Sequence, residues 1–194
     1  MRPDDVYSVP SGLPVPVDDG ACAHLPGTRV PAVPLPSTAG GPVDLSRLSG
    51  RVVVYAYPRT GLPDRPPLVD DWDLIPGARG CTPQTCGFRD HFAELHALGV
   101  ASVFGLSTQD TAYQREVAER LHLPFPLLSD GALRFSDALA LPTMLVADMV
   151  LLKRLALIVD DGVITKVFYP VFPPDENAAG VVNWVRANPA DSLV

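Results

Sequence analysis

Residues 51–58 read RVVVYAYP, and this run constrains the fold more than any other stretch of the chain. Its apolar residues are continuous rather than alternating. β-Branched and aromatic residues in such a run make a strand that is apolar on both faces, which calls for a sheet covered on both sides. A central sheet with helices packed on its two faces is therefore predicted.

The remaining pattern builds outward from that strand. Upstream, VPAVPLPSTAGGPVDLSRL gives Val33 and Leu35, a Gly-Gly turn, and Val43 and Leu45. That is the mark of a short hairpin, which its prolines confine to an edge. Residues 59–80 form a Gly/Pro-rich loop, and a loop of that length in a compact domain is usually functional or mobile. Phe88, Phe92, Leu95 and Leu98 then share one helical face that Gly99 ends. VASVFGLS, residues 100–107, is a second core strand. STQD after it resembles a capping box with Asp for Glu, opening a helix marked by Tyr113, Val117 and Leu121. FPLLSD reads as a short strand and residues 132–139 as a short helix. Residues 154–170 are two strands around Asp160, Asp161 and Gly162, a hairpin signal. A last helix starts near Pro174 and Asp175 and turns Ala178, Val181, Val182 and Val185 inward, with Trp184 beside them.

The βαβ portion requires parallel strands, and the final hairpin adds antiparallel ones. A mixed central sheet flanked by helices is the outline of a thioredoxin-like α/β fold. Residues 1–30, rich in Pro, Gly and Asp and without periodicity, are expected to form an irregular N-terminal arm on a domain spanning residues 31–194. The 22 prolines point the same way, because proline collects in loops and edges.

A formal net charge of −7 argues against nucleic acid as a partner, since phosphate binding needs a basic surface. The first residues carry no positive stretch followed by an apolar run, so they do not read as a signal peptide. Asp148, Lys153 and Arg154 interrupt the apolar residues 144–159, which argues against a membrane span. The expected setting is cytoplasmic. In such a reducing compartment cysteines tend to be catalytic, metal-binding or inert.

Cys81 and Cys86 stand five positions apart in GCTPQTCGFRD. In a regular helix five steps give a rise of about 7.5 Å and a turn of about 140°, which puts the Cα atoms about 8–9 Å apart. A disulfide needs about 7 Å or less. The pair can be joined only if the first helical turn unwinds, so any bridge here is conditional. Cys81 follows a glycine at a helix start, where free N–H groups and the dipole favour a thiolate; Cys86, a turn deeper, should keep a more ordinary thiol until the helix opens. The bland alternative is a small buried residue. Cys22, His24, Cys81 and Cys86 are four candidate zinc ligands, but neither pair has the usual short-hairpin geometry of a zinc site.

GCTPQTCGFRD resembles the active-site helix of peroxiredoxins of the bacterioferritin-comigratory type, also called peroxiredoxin Q. VDLSRLSGRVVVYAYP, VFGLST, FPLLSD and KRLALIVDDGVITKVFYPV are similar to further family segments, over about residues 28–187. The resemblance implies a thioredoxin fold and a thiol-dependent peroxidase without a cofactor or metal, acting as a monomer or weak dimer. It implies that Cys81 is the peroxidatic cysteine, which attacks a peroxide and becomes a sulfenic acid. It implies that Cys86 is the resolving cysteine of an intramolecular disulfide, which a thioredoxin-like electron donor reduces. Arg154 matches the family's arginine, which holds the thiolate and polarises the peroxide. Without the resemblance, Arg154 would read as a surface charge at a strand start.

The chain departs from the family where a Thr or Ser stands three residues before the cysteine and a Pro seven before. Those positions hold Ala78 and Leu74. Pro58 and Thr60, in YPRTG, are candidate substitutes, as is Thr82, and Arg79 is placed to add positive charge. Trp72 and Ile75 are expected to pin the loop or to wall a pocket for a larger hydroperoxide. His91 and His96, beyond a turn from Cys81, and Lys153, opposite Arg154, read as surface residues. Cys22 reads as a bystander that a flexible arm could bring to Cys81. Two other readings stand beside the peroxidase. One is a thiol–disulfide exchanger, which the lack of a C-x-x-C pair opposes. The other is a redox sensor whose helix unwinds on oxidation, which the missing hydroxyl favours.

Overall fold

The computed structural model describes residues 6–190. In chain order the elements are β1 (Pro34–Leu35), β2 (Val43–Asp44), β3 (Arg51–Ala56), α1 (Cys81–Asp90), α2 (Phe92–Ala97) and β4 (Val100–Ser107). Then come α3 (Thr111–Arg120), β5 (Leu127–Ser129), α4 (Arg134–Ala138), β6 (Thr143–Val146) and β7 (Met149–Leu152). β8 (Leu155–Asp160), β9 (Val163–Phe168) and α5 (Asn177–Ala187) complete the chain.

The central sheet has five strands in the order β5-β4-β3-β8-β9. β3 is its middle strand, parallel to β4 and antiparallel to β8. All six β3 residues are buried: residues 52–56 as its unbroken apolar run, and Arg51 paired with Asp160 at 2.7 Å. Val53, Tyr55 and Tyr57 face a layer made by Phe88 of α1, Leu95 of α2, Val117 of α3 and Val181 of α5. The opposite face is covered differently from the expectation of helices on both sides. Val52, Val54 and Ala56 meet Phe135 of the short α4, and the remaining cover comes from Leu25, Leu35 and Leu45, outside any α-helix. Apolar residues from the irregular N-terminal segment thus complete the core.

Phe88 lies flat on Tyr55, with ring centroids 4.3 Å apart and planes 9° from parallel. Burying Phe88 stabilises this contact by about 1.5–3 kcal/mol, so the C-terminal half of α1 is pinned to the sheet. Gly105 in β4 makes room for the Tyr55 ring, because a Cβ there would fall 2.7 Å from the tyrosine hydroxyl.

Three local features differ from the sequence reading. The predicted single helix through Phe88 and Leu95 is split at His91, whose backbone (φ −93°, ψ 3°) leaves the helical region. The cap of α3 is Asp110 rather than the STQD serine: its carboxylate accepts from the Tyr113 N–H at 2.7 Å. The hairpin β6–β7 was not foreseen. Its turn is Ala147-Asp148, both at positive φ (48° and 62°), without the glycine that normally signals such a turn. No helix among the described residues is long and apolar enough to cross a membrane.

Candidate active site

α1 begins at Cys81 because Gly80 takes the left-handed conformation (φ 99°) as its N-cap. A Cβ at Gly80 would collide with the ring of Pro174, so the glycine also lets the turn before α5 close over the helix start. The first intrahelical bond runs from the Gln84 N–H to the Gly80 carbonyl, at 3.0 Å. The N–H groups of Cys81 and Thr82 precede it and belong to the unsatisfied positive end of the helix.

Cys81 is 3% exposed. Its thiol lies 3.5 Å from the Ala78 carbonyl, to which it donates. The Arg154 Nη2 lies 3.3 Å from the Cys81 sulfur. Arg154, at the entry to β8, is itself 3% exposed, so it is no surface charge. The same Nη2 is within reach of the carbonyls of Gly77, Ala78 and Arg79 at 3.1, 3.2 and 2.9 Å. Its Nη1 donates to the Gln84 side-chain oxygen, and the Gln84 amide donates to Asn177 of α5 at 2.9 Å. One buried guanidinium thus ties together the end of the 59–80 loop, the start of α1, and the sulfur. It sets a fixed positive charge beside the reacting sulfur.

Cys86 is half-buried on the next turn of the same intact helix, and both cysteines are free thiols. Burial pushes the Cys86 thiol up, with Arg89 acting in the opposite direction. The expectation of an ordinary thiol there is corrected to that extent. Cys22 is buried in the cluster beneath the opposite face of the sheet from Cys81. Burial, aided by Asp19 and Asp18, pushes its thiol up to about 12. No group of three or more His, Cys, Asp and Glu placed to hold a metal occurs among the described residues.

A cavity of about 400 Å³ opens at Cys81, with Thr60, Thr82, Trp72 and Tyr113 in its wall. Thr60 lines it, but its polar groups are engaged. Its hydroxyl and N–H both donate to the Gln109 side-chain oxygen at 3.0 Å, and its carbonyl accepts from the Tyr113 hydroxyl at 3.0 Å. Thr60 therefore fixes the loop to α3 and its approach. Pro58 is buried at the end of β3 and is absent from the cavity wall. Thr82 is buried against the cavity. Ala78, where the family pattern has a hydroxyl, is fully buried with Trp72, Val146 and Leu151. Trp72 thus both pins the loop and walls the cavity. Ile75 packs on the same cluster but faces a separate pocket beside Lys153 and Tyr169. Lys153 is not simply solvated: it pairs with Asp19 at 2.8 Å. His91 pairs with Glu94 at 2.9 Å on the helix surface, and His96 is exposed.

The redoxin family profile matches residues 25–182. The chain belongs to the redoxin family, in its peroxiredoxin Q branch. The chloroplastic peroxiredoxin Q of Sedum lineare is 31% identical over 153 residues, covering 78% of this chain and 72% of that one. A putative chloroplastic peroxiredoxin Q of rice (Oryza sativa subsp. indica) is 31% identical, again over 78% of this chain; the match spans only 62% of the rice protein's length. Among solved structures, peroxidoxin BcpB of Mycobacterium tuberculosis superposes with a TM-score of 0.68 at 26% identity, over 86% of this chain and all of that one. The thioredoxin-like fold of this peroxiredoxin follows from both likenesses.

The sequence does not reveal the site roles of Gln84, Asn177 and Gln109, and it marks Tyr113 only as a helix residue. Gln84 carried a signal: three residues beyond Cys81 in a helix, it lies on the same face. The other three carried none.

Proposed function

We propose that this peroxiredoxin reduces hydrogen peroxide or organic hydroperoxides through Cys81 and Cys86. The observation that carries the reading is the buried Arg154 guanidinium 3.3 Å from the Cys81 sulfur at an open cavity wall. The Cys81 thiolate attacks the terminal oxygen of ROOH. An S–O bond forms and the O–O bond breaks. The leaving RO⁻ takes a proton and departs as ROH, or as water when R is hydrogen. The sulfur is oxidised by two electrons to a sulfenic acid. Arg154 and the helix N-terminus stabilise the charge that moves from sulfur to oxygen.

Cys86 then displaces hydroxide from the sulfenic acid, which leaves as water, and an S–S bond forms. Within α1 the two cysteines are about 8–9 Å apart at Cα, so the first turns unwind before this step. Phe88 limits how far the unwinding runs. A thioredoxin-type dithiol supplies the two electrons and two protons that restore both thiols, and a cytoplasmic setting suits that donor.

One equivalent of hydrogen peroxide added to the reduced protein tests the reading. The expected result is a fast loss of two hydrogens, mapped by mass spectrometry to a Cys81–Cys86 bridge. A Cys86→Ser variant should consume one equivalent and stop at the sulfenic acid. Slow, unselective oxidation overturns the peroxidase and favours the redox-sensor reading, which Ala78 in place of a hydroxyl supports.

A further inference from the structure

The redoxin profile begins at residue 25, yet the segment before it meets the surroundings of Cys81 at two places. Val6 stands in the wall of the cavity at Cys81, close to Gly61, where a Cβ would fall 3.3 Å from the Val6 side chain. Beside it, Arg120 of α3 donates to the Tyr7 hydroxyl and to the Gly61 carbonyl, both at 3.2 Å, with its guanidinium over the Tyr7 ring. Further along, Pro16 lies 3.9 Å from where Gly77 would carry a Cβ, and Pro16 and Val17 wall a pocket that Lys153 and Arg154 also line. Asp19 ties this second place down. Its carboxylate accepts from the Lys153 ammonium and from the Tyr169 hydroxyl, each at 2.8 Å. Pro10, Pro14 and Pro16 stiffen the chain between the two attachments.

The attachments bracket the 59–80 loop, at Gly61 near its start and at Gly77 near its end. A loop of that length has much conformational freedom to lose, and a single 3₁₀ turn, Trp72–Leu74, is its one regular element. Its last residues carry the carbonyls of Gly77, Ala78 and Arg79 that hold the Arg154 Nη2. A guanidinium aimed by three loop carbonyls points at the sulfur only while those carbonyls keep their places, and small displacements at a reacting centre are costly.

We infer that residues 6–19 form a clasp that keeps Arg154 in line with Cys81, and that Tyr7 and Asp19 are positioning residues for the peroxidase reaction. They act through the loop and not by touching the sulfur. The inference rests on the peroxidase reading and adds to it a segment that the family profile does not cover.

Hydrogen peroxide is the probe, because it brings no charge of its own. Second-order rate constants for Cys81 oxidation are read in the wild type, Asp19→Ala, Asp19→Asn and Tyr7→Ala, beside the rate of the following disulfide step and thermal unfolding. Asp19→Ala should oxidise about five-fold more slowly, as for loss of one solvent-exposed charge pair, with disulfide formation not slowed. Tyr7→Ala should slow oxidation too. Asp19→Asn keeps an acceptor for Lys153 and Tyr169 and should recover part of the rate. Rising ionic strength should slow the wild type but not Asp19→Ala, because salt screens the exposed Asp19–Lys153 pair far more than the buried Arg154. Wild-type rates in both alanine variants would overturn the clasp and leave the peroxidase intact. Equal slowing of both steps in Asp19→Ala, with the salt response unchanged, would mean general loosening and would overturn the positioning role. No selective oxidation of Cys81 in the wild type would overturn the peroxidase reading itself, and this inference with it.

Discussion

Gln84 accepts a hydrogen bond from Arg154 one helical turn beyond Cys81, so the guanidinium that reaches the sulfur is aimed by the helix that carries it. The same Gln84 donates to Asn177 of α5, in the segment that must unwind before Cys86 can reach Cys81. Gln84→Met should therefore move two steps in opposite directions. Losing a hydrogen bond to a charged group should slow oxidation of Cys81 about ten-fold. Losing the tie to Asn177 should speed disulfide formation. Trp72 lines the cavity, so tryptophan fluorescence in stopped flow reports both phases. Gln84→Glu keeps an acceptor for Arg154 and should restore the first phase. Slowing of both phases in Gln84→Met would mean the helix is merely distorted.

The hydroxyl that serves the peroxide is expected to be that of Thr82. Thr82 is buried against the cavity, and no described residue takes a hydrogen bond from its side chain. The Thr60 hydroxyl is already given to Gln109. Thr82→Val should lower the rate of Cys81 oxidation about ten-fold with little change in stability, since the shape is kept. Thr60→Val should mainly destabilise the fold, by about 1 kcal/mol for the lost hydrogen bond. Peroxide kinetics and urea unfolding on both variants check this; the reverse assignment would return the role to Thr60.

Much of this site was legible because it is local. Cys81, Cys86, the glycine before them and the helix start all sit in one short stretch, and helical geometry alone made their bridge conditional. β3 was legible because an unbroken apolar run has few other solutions. Contacts across the sequence were not. Nothing near Gln84 announces Asn177, 93 residues away, and Thr60 gives no hint that Gln109 occupies its hydroxyl. The sequence shows that Ala78 lacks a hydroxyl, but not that its backbone carbonyl serves both Arg154 and the Cys81 thiol. β6–β7 stayed hidden because Ala147-Asp148 adopts a turn that glycine or asparagine usually marks.

Cys22 should show itself in the pH dependence of stability. Burial, with its acidic neighbours Asp19 and Asp18, pushes the Cys22 thiol from an ordinary 9.0 up to about 12 in the folded protein. The folded state therefore holds its proton where the unfolded state releases it. The unfolded state binds fewer protons above about pH 9, so this residue's contribution to stability is whole below that pH and is lost as pH rises from about 9 towards about 12. Urea midpoints between pH 8 and pH 11 should fall less steeply in Cys22→Ala than in the wild type, although Cys22→Ala starts from lower stability for its lost packing. Alkylation at neutral pH should spare Cys22 in the folded protein. A Cys22 adduct formed as fast as one at Cys81 would show that the sheet does not separate them.

Gly80 carries two constraints, and Gly80→Ala should break both. A residue with a Cβ is strained at φ 99°, and here the Cβ would also strike the Pro174 ring. The conformational cost alone is about 1–2 kcal/mol, and either the helix start or the turn before α5 must shift to relieve the collision. Both movements disturb Arg154, whose Nη2 is held by the carbonyls of residues 77–79 just upstream. Oxidation of Cys81 should fall by more than the stability loss explains, because the cation leaves its line to the sulfur. Pro174→Ala removes the colliding ring while leaving the positive φ. Combined with Gly80→Ala, it should recover part of the rate but little of the conformational strain. Peroxide kinetics set beside thermal unfolding of the two single variants and the double variant measure this. A double variant no faster than Gly80→Ala alone would mean that the backbone at residue 80, and not its contact with Pro174, sets the position of Cys81.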